Sequence, residues 1–242
     1  NFQKIVILTI LLGLIVPAVG AADPGRITLS SDTGWLVANG ADSAGITVQV
    51  LDGSGAPLPN CTVTLSVDPV YGRLAPATVT TSASGTAVTT FTVNKTSGVA
   101  VITARAGAVE KTLSLSIDHD QPYRISHLTY EPMVTVGTAA TITVGVADRH
   151  GNPVDNHRDT EAVSFAVGSV SDDARFLDGT EEPTEITRPV DATGNVPVTL
   201  RTGRYTAGSY WAENIVRISP PTTVPDRYIT IYGTANGEPC VI

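Results

Sequence analysis

The sequence predicts an all-β chain of two tandem antiparallel β-sandwiches, preceded by a short hydrophobic helical segment. Three observations carry this. After residue 22 no long helical periodicity appears, and apolar and polar residues alternate with period two instead. Turn-forming residues break the alternation roughly every 8–12 residues, the rhythm of a sandwich. One strand-and-turn sentence also occurs twice, as ITVQVLDGSGAP at residues 46–57 and ITVGVADRHGNP at residues 142–153. Ile46, Thr47, Val48, Val50, Asp52, Gly55 and Pro57 return as Ile142, Thr143, Val144, Val146, Asp148, Gly151 and Pro153, all at an offset of 96 residues.

Composition agrees with this plan. Of the 242 residues, 42% are hydrophobic and 16% charged, so the chain can pack a core and has room for two small domains at about 100–150 residues each. Aromatic residues are 5%, which together with abundant Thr, Val and Ala describes slim cores of β-branched side chains. A formal charge of −8, with cations scattered singly, repels a phosphate backbone and excludes a nucleic-acid partner.

Residues 1–22 come first. Lys4 precedes an uncharged apolar run over residues 5–16, followed by Pro17 and small residues. This is the order of a secretory signal, and the run is shorter than the roughly 20 residues that span a bilayer. If retained, the segment is a helical anchor or assembly element, and membrane contact is expected only through residues 1–20. Either role places the rest of the chain outside the cytoplasm.

The first sandwich is expected over residues 23–118. Ile46, Val48 and Val50 share one face, as do Val63, Leu65 and Val67, and Val99, Val101 and Thr103 are read the same way. Asp52-Gly-Ser-Gly, Ala83-Ser-Gly and Lys95-Thr-Ser-Gly supply the reversals. The seam to the second domain falls at residues 117–122, a short polar stretch that favours a semi-rigid rod.

The second sandwich is expected over residues 119–234. Val163 and Phe165 answer Val63 and Leu65, Ala192-Thr-Gly194 answers Ala83-Ser-Gly85, and Leu200 answers Phe91. The growing offset assigns the extra length to an acidic insertion loop within residues 168–189, and Pro197 is expected to interrupt the later strand. Residues 235–242 read as a last strand that begins a further domain or pairs with a neighbouring subunit.

ANGADSAGITVQVLDGSGAPLPNCTVTLSV at residues 38–67, with TTSASGTAVTTFTV at residues 80–93, resembles the bacterial immunoglobulin-like domains of the invasin and intimin type. Asp52, Gly55, Pro57, Gly85 and Ala87 carry the resemblance in the first domain. Asp148, Gly151, Pro153 and Gly194 carry it in the second, which is more divergent. Residues 1–20 resemble a signal peptide or a pilin-like hydrophobic segment. The resemblance implies tandem Ig-like domains at the cell surface and implies no catalysis.

Site chemistry is sparse. No nucleophile elbow, phosphate loop, dinucleotide fingerprint or zinc-protease motif is present, so no enzyme activity and no cofactor are expected. His119, His127, His150 and His157 stand at no metal-ligand spacing, and Asp148, Asp155, Asp159, Asp172, Asp173 and Asp178 match no calcium loop; no metal is expected. Cys61 shares the parity of Val63 and is expected to face the core. Asn60 and Asn94 open glycosylation sequons at turn-to-strand junctions.

Residues 228–242 are the candidate assembly surface, with Tyr228, Ile229, Ile231, Cys240, Val241 and Ile242 as contacts. The expected function is a structural subunit of an extracellular filament, sheath or surface layer, self-assembling with identical copies. The alternative is an adhesin stalk or tip that binds a host protein or glycan through residues 169–188, with Tyr205, Tyr210 and Trp211 as aromatic anchors.

Overall fold

The computed structural model describes residues 23–168, 173–204, 212–221, 224–235 and 237, and every regular element among them is a β-strand. The expected helical segment at residues 1–22 lies outside the described residues, as do Tyr205, Tyr210, Trp211, Cys240, Val241 and Ile242. Among the described residues no helix is long and apolar enough to cross a membrane.

The first half contains β1 (Pro24–Ser31), β2 (Trp35–Val37), β3 (Ser43–Asp52), β4 (Thr62–Ser66), β5 (Gly72–Ala75), β6 (Thr78–Thr80), β7 (Thr86–Val93), β8 (Gly98–Ala106) and β9 (Val109–Asp118). They form two sheets, ordered β1-β3-β7-β5 and β2-β9-β8-β4-β6. The second half contains β10 (Pro122–Tyr130), β11 (Met133–Thr135), β12 (Ala139–Asp148), β13 (Ala162–Val167), β14 (Arg175–Phe176), β15 (Glu185–Pro189), β16 (Asn195–Arg201), β17 (Ala212–Ser219) and β18 (Arg227–Thr234). Its sheets run β10-β12-β16-β14 and β11-β18-β17-β13-β15. The two orders are the same topology, strand for strand.

Register is duplicated as well as order. Val48 faces Ala87 across β3 and β7, and Val144 faces Val196 across β12 and β16. Each half closes on its own core. Ile46, Val48, Val50, Val63, Ile102 and Phe91 are fully buried in the first, and Ile142, Val144, Phe165, Phe176, Leu200 and Ile231 in the second.

The repeated corner explains its own sequence. Asp52 Oδ1 accepts from the amides of Ser54 (2.8 Å) and Ala56 (3.0 Å), and Asp148 Oδ1 accepts from those of His150 (2.8 Å) and Asn152 (2.9 Å). A second glycine then locks onto each corner. Gly85 has φ +73°, and a Cβ there would lie 2.6 Å from the Val50 carbonyl oxygen; at Gly194, φ +81°, it would lie 2.7 Å from Pro153 Cβ. Only glycine combines that backbone conformation with so close an approach.

Four expectations need correction. In β8 the core-facing residues are Ala100, Ile102 and Ala104, while Val99 and Val101 are about half exposed. Hydrophobicity marked the outer face there because β-branched residues also suit an exposed sheet surface. Residues 168–189 are not simply an insertion loop: Ala174, Phe176 and Ile186 are buried, and β14 and β15 occupy the places of β5 and β6. Strands this short carry too little alternation to be read.

Pro197 does not break β16, which pairs with β12 continuously through Thr143 opposite Pro197. On its other side β16 meets β14 only at Leu200 and Arg201, so no ladder bond needs the missing proline donor. Finally, Ile117 and Asp118 belong to β9, which shortens the seam to residues 119–121.

Candidate functional site at the domain junction

The copies differ inside their most repeated stretch: Asn152 stands where the first domain has Ala56. Ala56 is exposed at its turn, whereas Asn152 is buried beneath the end of the first domain. Its side chain spans the seam. Nδ2 donates to the Lys95 carbonyl (3.0 Å), and Oδ1 accepts from the Ser97 amide (2.9 Å), both in the loop joining β7 to β8. A primary amide can satisfy one main-chain acceptor and one donor at once, so this residue type fits the loop as a ladder rung would.

Asp148 holds that amide in place. Its Oδ2 accepts from Asn152 Nδ2 (2.7 Å) and from the linker amide of Asp120 (3.0 Å). The carboxylate is therefore fully buried with four donors, while Asp52 in the first domain bonds only its own turn. Burial alone pushes the Asp148 pKa up. The Asn152 side chain, the Asp120 amide and the turn amides outweigh it and leave the group below its ordinary value of 3.8. Arg149 Nε lies 3.4 Å from Asp120 Oδ2 and adds an ion pair at the rim.

Beside this clamp lies a groove of about 150 Å³. Trp35, Val99 and Ser116 form its wall from the first domain, and Asp155 and His157 close it from the second. Trp35 is 41% exposed, a large aromatic surface turned to solvent next to the seam. At the inner end Asp118, His119 and Asp155 converge, with their ligand-type atoms within 4.8 Å of one another. Spacing along the chain hid this group because Asp155 comes from the other domain.

The remaining site expectations fall elsewhere. Tyr228 is 66% exposed on β18, but Ile229 and Ile231 point into the core, so the proposed contact strand offers Tyr228 and Tyr232 rather than its isoleucines. The outer edge of β18 is covered by β11 only at residues 232–234, which leaves residues 227–231 without a strand partner on that side among the described residues. Asn60 is exposed in a turn with φ 56°, and Asn94 is exposed with its Nδ2 donating to the Pro69 carbonyl at 2.6 Å. Cys61 is half-buried against the first core, and burial raises its thiol pKa.

Asp173, Asp178 and Asp159 do not converge with Asp148 and Asp155. Asp173 and Asp178 pair with Arg204 and Arg188, and Asp159 is exposed. A wider cleft of about 630 Å³ is lined by Val136, Gly137, Arg201 and Arg204, but both guanidiniums already meet carboxylates, Glu182 and Asp173.

Comparison with known proteins agrees with this architecture. Residues 26–117 match the profile of the bacterial Ig-like domain (group 1) family. Among curated proteins none is a recognisable sequence relative. Of solved structures, InvD of Yersinia pseudotuberculosis superposes with a TM-score of 0.54 at 14% identity, covering 90% of this chain and 71% of that one. The adhesin InvE of Yersinia pseudotuberculosis gives 0.40 at 17%, covering 86% of this chain, which spans 58% of InvE. A 282-residue C-terminal fragment of intimin, solved in complex with the intimin-binding domain of the translocated intimin receptor, gives 0.36 at 19%, covering 87% and 64%. The match to the bacterial Ig-like domain (group 1) family thus covers the first domain, and the second domain repeats that domain's strand order.

Proposed function

We propose that this chain is a structural subunit of an extracellular surface assembly, in which it serves as a stiff two-domain segment. The observation that carries the reading is the seam. One buried asparagine joins two main-chain groups of the first domain, and one buried aspartate ties that asparagine to the linker. Hydrogen bonds to backbone fix direction as well as distance, so they resist bending at a joint only residues 119–121 long.

Supporting it are the duplicated fold, the acidic surface and the edge of β18 at residues 227–231, unpaired among the described residues, which can accept a strand from a neighbouring copy. The test uses native protein. Labelling of intact cells is expected to find it outside, and electron microscopy of the extracted material to show ordered oligomers. Protein confined to the cytoplasm, or strictly monomeric after mild extraction, contradicts the reading.

A second reading, an adhesin stalk or tip, is favoured by exposed Trp35 and Val99 beside the groove. Its binding surface is then the seam and not residues 169–188, where β14 and β15 are structural. Loss of host-cell binding on Trp35→Ala, with assembly intact, separates the two.

A further inference from the structure

We propose that the seam binds one divalent transition metal of the zinc class, held by His119 Nε2 and by carboxylate oxygens of Asp118 and Asp155. The argument begins with the imidazole, which is buried. Its Nδ1 lies 2.7 Å from the Asp120 carbonyl oxygen, and a carbonyl only accepts, so Nδ1 carries the hydrogen. That leaves Nε2 as a lone pair in the neutral ring. Nε2 faces two further acceptors and no donor: the Asp155 carbonyl oxygen at 3.4 Å and Asp118 Oδ1 at 3.8 Å. Two oxygens around that nitrogen suit a positive charge at Nε2, which a hydrogen or a metal ion can supply, and only the ion would also engage both carboxylates. Fixing an imidazole through one nitrogen to a carbonyl is also how metal-binding histidines are oriented.

A second observation points the same way. Asp118 is 5% exposed, and its Oδ1 accepts from the His119 amide (2.9 Å), yet its other oxygen receives no hydrogen bond from the described residues. Asp118 lines the groove, so that oxygen is open to a ligand entering from it. Charge adds weight. Asp118, Asp120, Asp148 and Asp155 bring four carboxylates to the seam, against the guanidinium of Arg149.

The donor set selects the metal. One imidazole with monodentate carboxylates suits zinc, while calcium takes six to eight oxygens and the cluster does not offer them. Metal–ligand bonds of about 2.0–2.1 Å require the three ligand atoms to draw together by roughly 1 Å. The fourth position opens to the groove, where His157 Nδ1 lies 2.9 Å from Asp155 Oδ1. Because the ligands come from both domains, the metal would cross-link the seam. The stiff-segment reading rests on Asn152 and stands without it.

The test is titration of the full chain, stripped with EDTA, with zinc chloride by calorimetry, with cobalt chloride by visible absorption and with calcium chloride as competitor. One zinc ion per chain is expected, with cobalt giving the intense bands of a four-coordinate site and calcium failing to compete. His119→Ala and Asp155→Asn should each weaken binding by about tenfold or more, and His157→Ala by less. Asp155 sits in a half-exposed loop, so its variant remains informative if His119→Ala does not fold. Absence of saturable zinc binding overturns the proposal. So does zinc binding by both variants as tight as in the parent, or calcium displacing zinc.

Discussion

Asp148→Asn is expected to destabilise the second domain by about 2–3 kcal/mol, the scale for stripping a buried, multiply bonded charge from its donors. The carboxylate accepts from the amides of His150, Asn152 and Asp120 and from Asn152 Nδ2. An asparagine can answer them with only one oxygen, and its own amide would meet donors. The matching change in the first domain, Asp52→Asn, should shift stability much less, since that side chain is partly exposed and water can replace it. Urea denaturation followed by hydrogen exchange, which reads the domains separately, measures both.

The same residue sets an acid dependence. Its folded pKa lies below the ordinary value, so its contribution is present above pH 3.8 and is lost as pH falls through the lower folded value. The Asn variant should lack that component below about pH 4, where carboxylates titrate. An unchanged acid profile would show that Asp148 is not the group responsible.

Phe176→Ala is expected to cost the second domain about 3–5 kcal/mol. The ring is fully buried and meets Phe165 edge to face, with centroids 6.2 Å apart and planes at 63°. β14 carries the ring into the core and is paired to β16 at Leu200 and Arg201. This substitution falls within the segment that the sequence reads as an acidic insertion. Hydrogen exchange localises the outcome: unfolding confined to the second domain is predicted, and wild-type protection throughout would return these residues to the status of a loop.

What could be read in advance follows physical lines. The Asp-Gly-Pro corners were legible because each residue type there has one local task, and a repeat showed it twice. The face of β8 was not, because Val99 and Val101 are more hydrophobic than the Ala100 and Ala104 that flank Ile102 in the core. Strands β5, β6 and β14 were missed for their brevity, and β15 because Ile186 is its one buried residue.

The seam cluster was missed because Asp118, His119 and Asp155 meet only after the two domains dock. One signal could have found the seam. Within the repeated stretch Ala56 becomes Asn152, and a change inside an otherwise kept motif marks where the second copy does something the first does not.

The most direct test is the distribution of distances between the domains. Spin labels on Val88→Cys and Tyr228→Cys, both exposed, would be measured by pulsed dipolar spectroscopy with Cys61 and Cys240 replaced by Ser. The account predicts a single narrow distribution that broadens when Asn152→Ala is added while each domain stays folded. A broad distribution in the parent, or one that Asn152→Ala leaves unchanged, contradicts it.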